Sequence, residues 1–356
     1  MKIVQLITQM EAGGAQRVAV LLAEALRADG DEVETCFFYL KRPSHTDLPN
    51  IKVFCPHQPS ALDSVRILCR FWRYLRKTKP DVLITHTHYA NILGQIIAYF
   101  CGVPARLAVQ HNPVSVYPKL ARSSDRFLGS TQVYSCNVAV SGAVVDSVTH
   151  YPRSYRKKIV KIHNGIPPLQ VTASNDRVRA EWGLPLEVPL LINVGRFAEQ
   201  KNQQTLIEML PFIPNAHLIL VGEGELREQL IQQTRTLELE DRVHFLGELK
   251  PDQVMQLMSI ATIFVFPSIF EAMPMAVIEA MRLGLPLVTS DIPALREVIG
   301  DAGRFASAHD VKRLVQVVQE ILDSPTLQHR MRHESLQRSE LFSLQKMVEA
   351  YKHLFA

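Results

Sequence analysis

The chain has 356 residues, 47% hydrophobic and 21% charged, a balance that excludes intrinsic disorder and gives room for two domains of ordinary size. No stretch approaches the roughly 18 uninterrupted apolar residues of a membrane-spanning helix. The opening MKIVQLITQM is too short and too little apolar for a secretion leader, so the expected compartment is the cytoplasm. Net charge is +4 but unevenly spread: residues 1–170 hold 21 Lys+Arg against 11 Asp+Glu, and the remainder holds 18 against 24. That asymmetry predicts two lobes with different partners, the first meeting something anionic.

In chain order, the pattern predicts a strand over 2–8, a turn at Gly13 and Gly14, and a helix over about 15–29 that stops at Gly30. A strand near 32–39, a helix over 62–78, a strand over 81–85 and a helix over about 90–101 follow. Strands over 105–110 and 137–140 complete the first half, which Asn164-Gly165-Ile166-Pro167-Pro168 closes. The second half starts afresh with strands over 190–194, 217–221, 243–245, 263–266 and 286–288, most of them followed by helices. Alternating strand and helix predict two doubly wound α/β lobes, whose strands would direct their C-terminal ends toward ligands in a shared cleft. The five cysteines are odd in number and lack a Cys-x-x-Cys pair, so they read as reduced thiols in apolar surroundings, with no metal set among them.

Chemistry concentrates in FVFPSIFEAMPMAVIEAMRLGLPLVTS, residues 264–290. A strand runs into a loop carrying Glu271, Met273 and Pro274, and Pro274 is suited to open a helix over about 275–283 that Gly284 ends. The free amides of Met275 and Ala276 would then face a diphosphate, with Glu271 just before the helix and Glu279 about one turn inside it. Solvated helix charges are the plainer reading of two such glutamates, but their apolar setting at a strand-to-helix junction argues against it. Gly195-Arg196, followed by Lys201, would place two cations on one pair of phosphates, although such residues at a strand end are commonly just surface. Gly222 and Gly247 end two further strands, where they suit a backbone lining a nucleoside or equally a tight turn. Gly13 and Gly14 allow close approach of a phosphate or sugar, but the Gly-x-Gly-x-x-Gly dinucleotide fingerprint is absent.

Together these residues resemble the retaining GT-B glycosyltransferases of family 4, also called group 1. Glu271 and Glu279 match the family's Glu-x7-Glu element, EAMRLGLPLVTS its continuation, and Gly195, Arg196 and Lys201 its Gly-Arg…Lys pair. Asn164-Gly165-Ile166 and Gly13-Gly14 match two more elements, so the resemblance covers essentially the whole chain. It implies a first lobe over 1–167 for the acceptor, a second over 168–340 for the nucleotide-sugar, and a last helix over 341–356 returning to the first lobe. Arg196 and Lys201 would neutralise the departing diphosphate, Glu279 would bind ribose, and Glu271 would bind hydroxyls of the transferred sugar. The usual Gly-Phe-Gly after the first glutamate is here Ala272-Met273-Pro274, which leaves sugar identity open. His111 ends a strand where the family often places a histidine facing the sugar, and His86, His88 and Asn91 fall on the acceptor side. No metal or other cofactor is expected.

The segment LDSVRILCRFWRYLRKTK sets Arg66, Arg70, Arg73, Arg76 and Lys77 opposite Val65, Ile67, Leu68, Phe71, Trp72 and Leu75. A basic amphipathic helix of this kind suits an anionic membrane surface, and equally a helix packed on the sheet with solvated arginines. Nothing in the pattern suits nucleic acid. The expected activity is transfer of a sugar, with retention, from a UDP-sugar to a lipid-linked saccharide or glycolipid at the inner membrane face. A GT-B epimerase or hydrolase, and a non-catalytic nucleotide-sugar-binding adaptor, remain the alternatives.

Overall fold

The computed structural model describes residues 1–11, 13–42, 49–169 and 174–355; residues 170–173 of the expected domain boundary lie outside them. The chain forms two compact units, Met1–Pro167 with Phe342–Ala356, and Pro168–Leu341.

The first unit is built from β1 (Lys2–Met10), α1 (Gly14–Ala28), β2 (Glu32–Leu40), β3 (Ile51–Val53), α2 (Ala61–Thr78) and β4 (Val82–His86). It continues through α3 (Gln95–Phe100), β5 (Ala105–Gln110), α4 (Lys119–Ser130), β6 (Cys136–Ala139) and β7 (Ile159–Lys161). All seven strands are parallel, in the order β3-β2-β1-β4-β5-β6-β7. Parallel strands covered on both faces must be apolar on both faces, and β1 is so: Ile3, Val4, Leu6 and Ile7 are all buried. The helix expected over 90–101 is instead a π-helical turn, Ala90–Gly94, leading into α3.

α2 starts where Ser60 and Asp63 form a reciprocal capping box. Its residues Ile67, Phe71 and Leu75, spaced four apart, are buried against the sheet, with Phe71 edge-on to Phe38 and Phe54 at 5.7 and 5.5 Å. The single apolar stripe expected from sequence is therefore divided. Leu62, Val65 and Trp72 point outward with Arg66, Arg73 and Arg76. Cys69 also lies on the exposed side, against the expectation that every cysteine sits in the core. All five cysteines are free thiols.

The second unit contains β8 (Leu190–Val194), β9 (His217–Val221), β10 (Val243–Gly247), β11 (Ile263–Phe266), β12 (Leu287–Ser290) and β13 (Gly303–Ala306). They form a parallel sheet in the order β10-β9-β8-β11-β12-β13. The short strands β3, β7 and β13 lack the long β-branched runs of the central strands and escaped the sequence pattern. All three lie at sheet edges, where short length limits pairing with other chains.

The helix Leu344–Lys352 packs on α1 and so belongs to the first unit. Its approach is fixed by the backbone: Leu344 N–H donates to Ile166 O at 2.9 Å, and Ile166 N–H to Phe342 O at 3.0 Å. A Cβ at Gly165 would lie 2.4 Å from Ser343 O, so only glycine lets the two segments meet. The helix ends with Lys352 paired to Asp29 at 2.6 Å.

Candidate functional site

In both sheets the strand order reverses direction at one point, between β8 and β11 in the second unit and between β1 and β4 in the first. At such a point the connections leave to opposite sides, and the strands' carboxyl ends border a crevice where α/β sheets bind ligands. The candidate residues gather at these two places.

In the second unit, β8 delivers Gly195, Arg196 and, through a short 3-10 turn, Lys201, while neighbouring β11 delivers Glu271. The two loops meet. Lys201 Nζ lies 2.5 Å from Glu271 Oε1, with side-chain exposures of 18% and 7%, and sits 4.7 Å above the Phe266 ring. Ser268 Oγ donates to the same carboxylate oxygen at 2.6 Å. Gln200 ties the loops together: its carbonyl accepts from Ile269 N–H at 2.8 Å and lies 3.0 Å from Ser268 Oγ, whose one proton goes to Glu271, and its amide donates to Phe270 O at 2.8 Å. Ser290, at the end of β12, donates to Ser268 O from behind. Glu271 Oε1 is thus saturated, whereas Oε2 has no protein partner among the described residues and can accept. The ammonium of Lys201 uses one of its three donors on Glu271 and keeps two.

Arg196 is exposed, and its guanidinium has no protein partner among the described residues. Pro274 precedes the helix Met275–Arg282, whose first amides have no side-chain cap, and Met273 and Met275 are buried beside it. Ala276 is partly exposed, and Glu279 is buried within the helix at 8% exposure. Gly222 and Gly247 have φ of 143° and 71°, and Gly222 N–H donates to Gly247 O at 2.8 Å. A Cβ on Gly222 would come 2.1 Å from Gly195 O. Positive φ at both, and the close approach of Gly195 O at Gly222, call for glycine whether or not the backbone also lines a nucleoside. Gly13 precedes α1 and Gly14 begins it, without a side-chain cap.

In the first unit, the end of β4 carries His86, Thr87 and His88. Thr87 adopts φ 74°, uncommon for a β-branched residue, and its hydroxyl bonds that of Thr8 at 2.6 Å. His88 is half-buried, its ring 4.2 Å from that of Tyr89 and 4.9 Å from that of Tyr117, with Nε2 buried and unpartnered. Burial pushes its pKa down. His86 and Asn91, expected on the acceptor side, are both wholly buried. Asn91 donates to Val109 O at 3.0 Å, and His86 bonds Gln5 and His111, so neither presents a side chain to an acceptor. His111 is partly exposed at the end of β5, its pKa lowered to about 4 by burial. Behind it, Gln110 donates to the buried Asp125 at 2.8 Å and accepts from Tyr117 at 2.8 Å, and burial raises the Asp125 carboxyl to about 6. Among the described residues no three His, Cys, Asp or Glu side chains cluster as metal ligands, and no helix is long and apolar enough to cross a membrane.

Sequence reasoning missed Gln200, Ser268, Ser290 and Gln5. Each acts by a hydrogen bond to a residue distant in sequence, and a lone Gln or Ser carries no periodic or spacing signal.

Two family models together cover most of the chain: "Glycosyltransferase Family 4" matches residues 12–168, and "Glycosyl transferases group 1" matches residues 174–338. The chain belongs to this glycosyltransferase family. It is a retaining glycosyltransferase of the GT-B fold. It is 26% identical to the lipopolysaccharide core biosynthesis glycosyltransferase LpsE of Rhizobium meliloti, over 97% of this chain and 96% of LpsE. It is 29% identical to the uncharacterized glycosyltransferase MJ1059 of Methanocaldococcus jannaschii, over 64% of this chain and 60% of that relative. The fold superimposes on Anabaena Alr3699/HepE, solved in complex with UDP-glucose, with a TM-score of 0.86 at 18% identity and 99% coverage of both chains.

Proposed function

We propose that this family 4 enzyme transfers a sugar from a UDP-sugar to a lipid-linked saccharide or glycolipid of the cell envelope. The observation that carries the sugar-donor site is the Lys201–Glu271 pair, which joins a cation and a carboxylate beside an uncapped helix N-terminus. In this reading Arg196 and the two unused Lys201 donors hold the diphosphate, together with the amides of Met275 and Ala276. Glu271 Oε2 accepts from sugar hydroxyls, Glu279 from ribose, and His111 contacts the sugar. Catalysis is then mainly electrostatic: the cations and helix end stabilise the charge that develops on the leaving diphosphate. A double-displacement nucleophile is not needed, because the leaving phosphate takes the acceptor's proton on the face it departs from. The unit over 168–340 serves the sugar donor, and the unit over 1–167, with the last helix, serves the acceptor.

UDP is supported by the HepE complex, and an envelope acceptor by the role named for LpsE. Peripheral attachment to the inner membrane face is supported by the outward side of α2. There Leu62, Val65 and Trp72 lie among Arg66, Arg73 and Arg76, with Phe100 of α3 77% exposed nearby. α4 offers the same mixture in Leu120 and Phe127 beside Lys119 and Arg126.

A thermal-shift panel of UDP-, GDP- and other sugar nucleotides, followed by transfer to polyprenyl-linked saccharides, tests the proposal. Stabilisation by UDP-sugars and a labelled lipid product support it. Stabilisation by GDP-sugars alone overturns the nucleotide, and full transfer by both Lys201→Ala and Glu271→Ala overturns the site.

A further inference from the structure

The buried hydrogen bonds around His86 have a direction that can be worked out from one end. Gln5 Nε2 lies 3.0 Å from Ala19 O in α1. A backbone carbonyl only accepts, so the Gln5 amide nitrogen must face it and Gln5 Oε1 must face His86. His86 Nε2 is 2.8 Å from that oxygen and therefore carries a proton. With Nε2 protonated, neutral His86 has a bare Nδ1, which lies 2.9 Å from His111 Nε2. His111 Nε2 must then be the donor, so its Nδ1 is bare. That Nδ1 has no protein partner among the described residues, and of Gln5, His86 and His111 only His111 has solvent exposure.

We infer that Gln5 and His86 are positioning residues: they lock His111 as the Nε2–H tautomer and present its Nδ1 as an obligate hydrogen-bond acceptor toward a hydroxyl of the bound sugar. The relay rests on the geometry above; its use in transfer rests on the reading of His111 as the sugar-contacting histidine. Both rings are also kept neutral by burial, and for His86 by the neighbouring His111, so charge does not reverse the direction of the chain at neutral pH. The sequence positions are far apart, residues 5, 86 and 111, but β1, β4 and β5 are adjacent in the sheet. An oriented ring with one fixed lone pair discriminates between a hydroxyl, which can donate to it, and an isosteric fluorine, which cannot.

Long-range proton–nitrogen correlation spectra of the full chain with nitrogen-15 histidine test the relay directly. His86→Phe and His111→Ala supply the assignments. The expected result is a protonated Nε2 and bare Nδ1 at both His86 and His111, and a protonated Nδ1 on His111 overturns the inference. Gln5→Leu, which keeps bulk but removes the fixed acceptor, should give His111 as a tautomer mixture, with transfer lowered about tenfold, the worth of one hydrogen bond. An unchanged His111 tautomer in Gln5→Leu also overturns it. Failure of the underlying reading looks different: His111→Ala would then transfer at the wild-type rate while the wild-type spectra still show the locked tautomer. Monofluoro analogues of UDP-glucose give a second measure. Gln5→Leu should reject the analogue fluorinated at the contacted position less strongly than wild type does, and unchanged discrimination counts against the positioning role.

Discussion

The Lys201–Glu271 pair makes a quantitative prediction about stability as well as activity. Each side chain retains little exposure, 18% for Lys201 and 7% for Glu271. Replacing either one alone strands the other charge in a poorly hydrated place. Breaking a buried pair costs roughly 3–5 kcal/mol, and the residual exposure of Lys201 puts this one near the lower end, about 3 kcal/mol. For a unit of this size about 2–4 °C accompanies each kcal/mol, so Lys201→Met or Glu271→Leu should lower Tm by roughly 6–12 °C. The double variant leaves no stranded charge, and Met keeps an aliphatic contact with Phe266, so its loss should fall well short of the sum. A double-mutant cycle by thermal and urea unfolding measures the difference as a coupling of about 2 kcal/mol or more. All three variants should fold and lose transfer. Additive losses would refute the reasoning, because they would mean that the two side chains do not form this pair in solution.

Other consequences are as direct. Gly165→Ala places a Cβ 2.4 Å from Ser343 O, so it should release the last helix, cost about 1–3 kcal/mol and open residues near 343 to limited proteolysis. Asp125 is protonated more readily in the fold than in the unfolded chain, its pKa rising from 3.8 to about 6. It therefore contributes a stability that is present at low pH and lost as pH climbs through that interval, by about 3 kcal/mol. His111, depressed from 6.5 to about 4, contributes in the opposite sense with a shift of similar size, so in the wild type it offsets about all of that loss. Asp125 also accepts from the Tyr155 hydroxyl at 2.9 Å, and Asp125→Asn can keep a bond to each partner, accepting from Gln110 and donating to the Tyr155 oxygen. Its melting temperature should then rise more steeply than wild type across the same pH range, and parallel curves would count against a buried carboxyl. Trp72→Ser with Phe100→Ser should weaken sedimentation with anionic vesicles several-fold while leaving Tm within about 2 °C, since both side chains are exposed. Equal binding by the double variant would remove this face from consideration.

Much of the molecule was legible in the sequence because the relevant signals are local. β-Branched runs, helical periodicity and the glycine stops at Gly30 and Gly284 define most central strands and helices in the described residues, including the helix that Pro274 introduces. Glu271, Glu279, Arg196 and Lys201 stand at recognisable spacings within two segments, enough to name the family. The partners of those residues were not legible. Strand order alone makes β8 and β11 neighbours, and so sets Lys201 against Glu271 with Gln200 and Ser268 as clamps. α2 shows the same limit: periodicity gave one apolar stripe, and only packing on the sheet decided that Phe71 is core and Trp72 surface. His86 changed role for this reason too, from a residue facing an acceptor to one buried beneath His111. Local propensity acts within a few residues and is written in the sequence. Hydrogen-bond direction and burial depend on which strands lie side by side, and the tertiary structure alone supplies that.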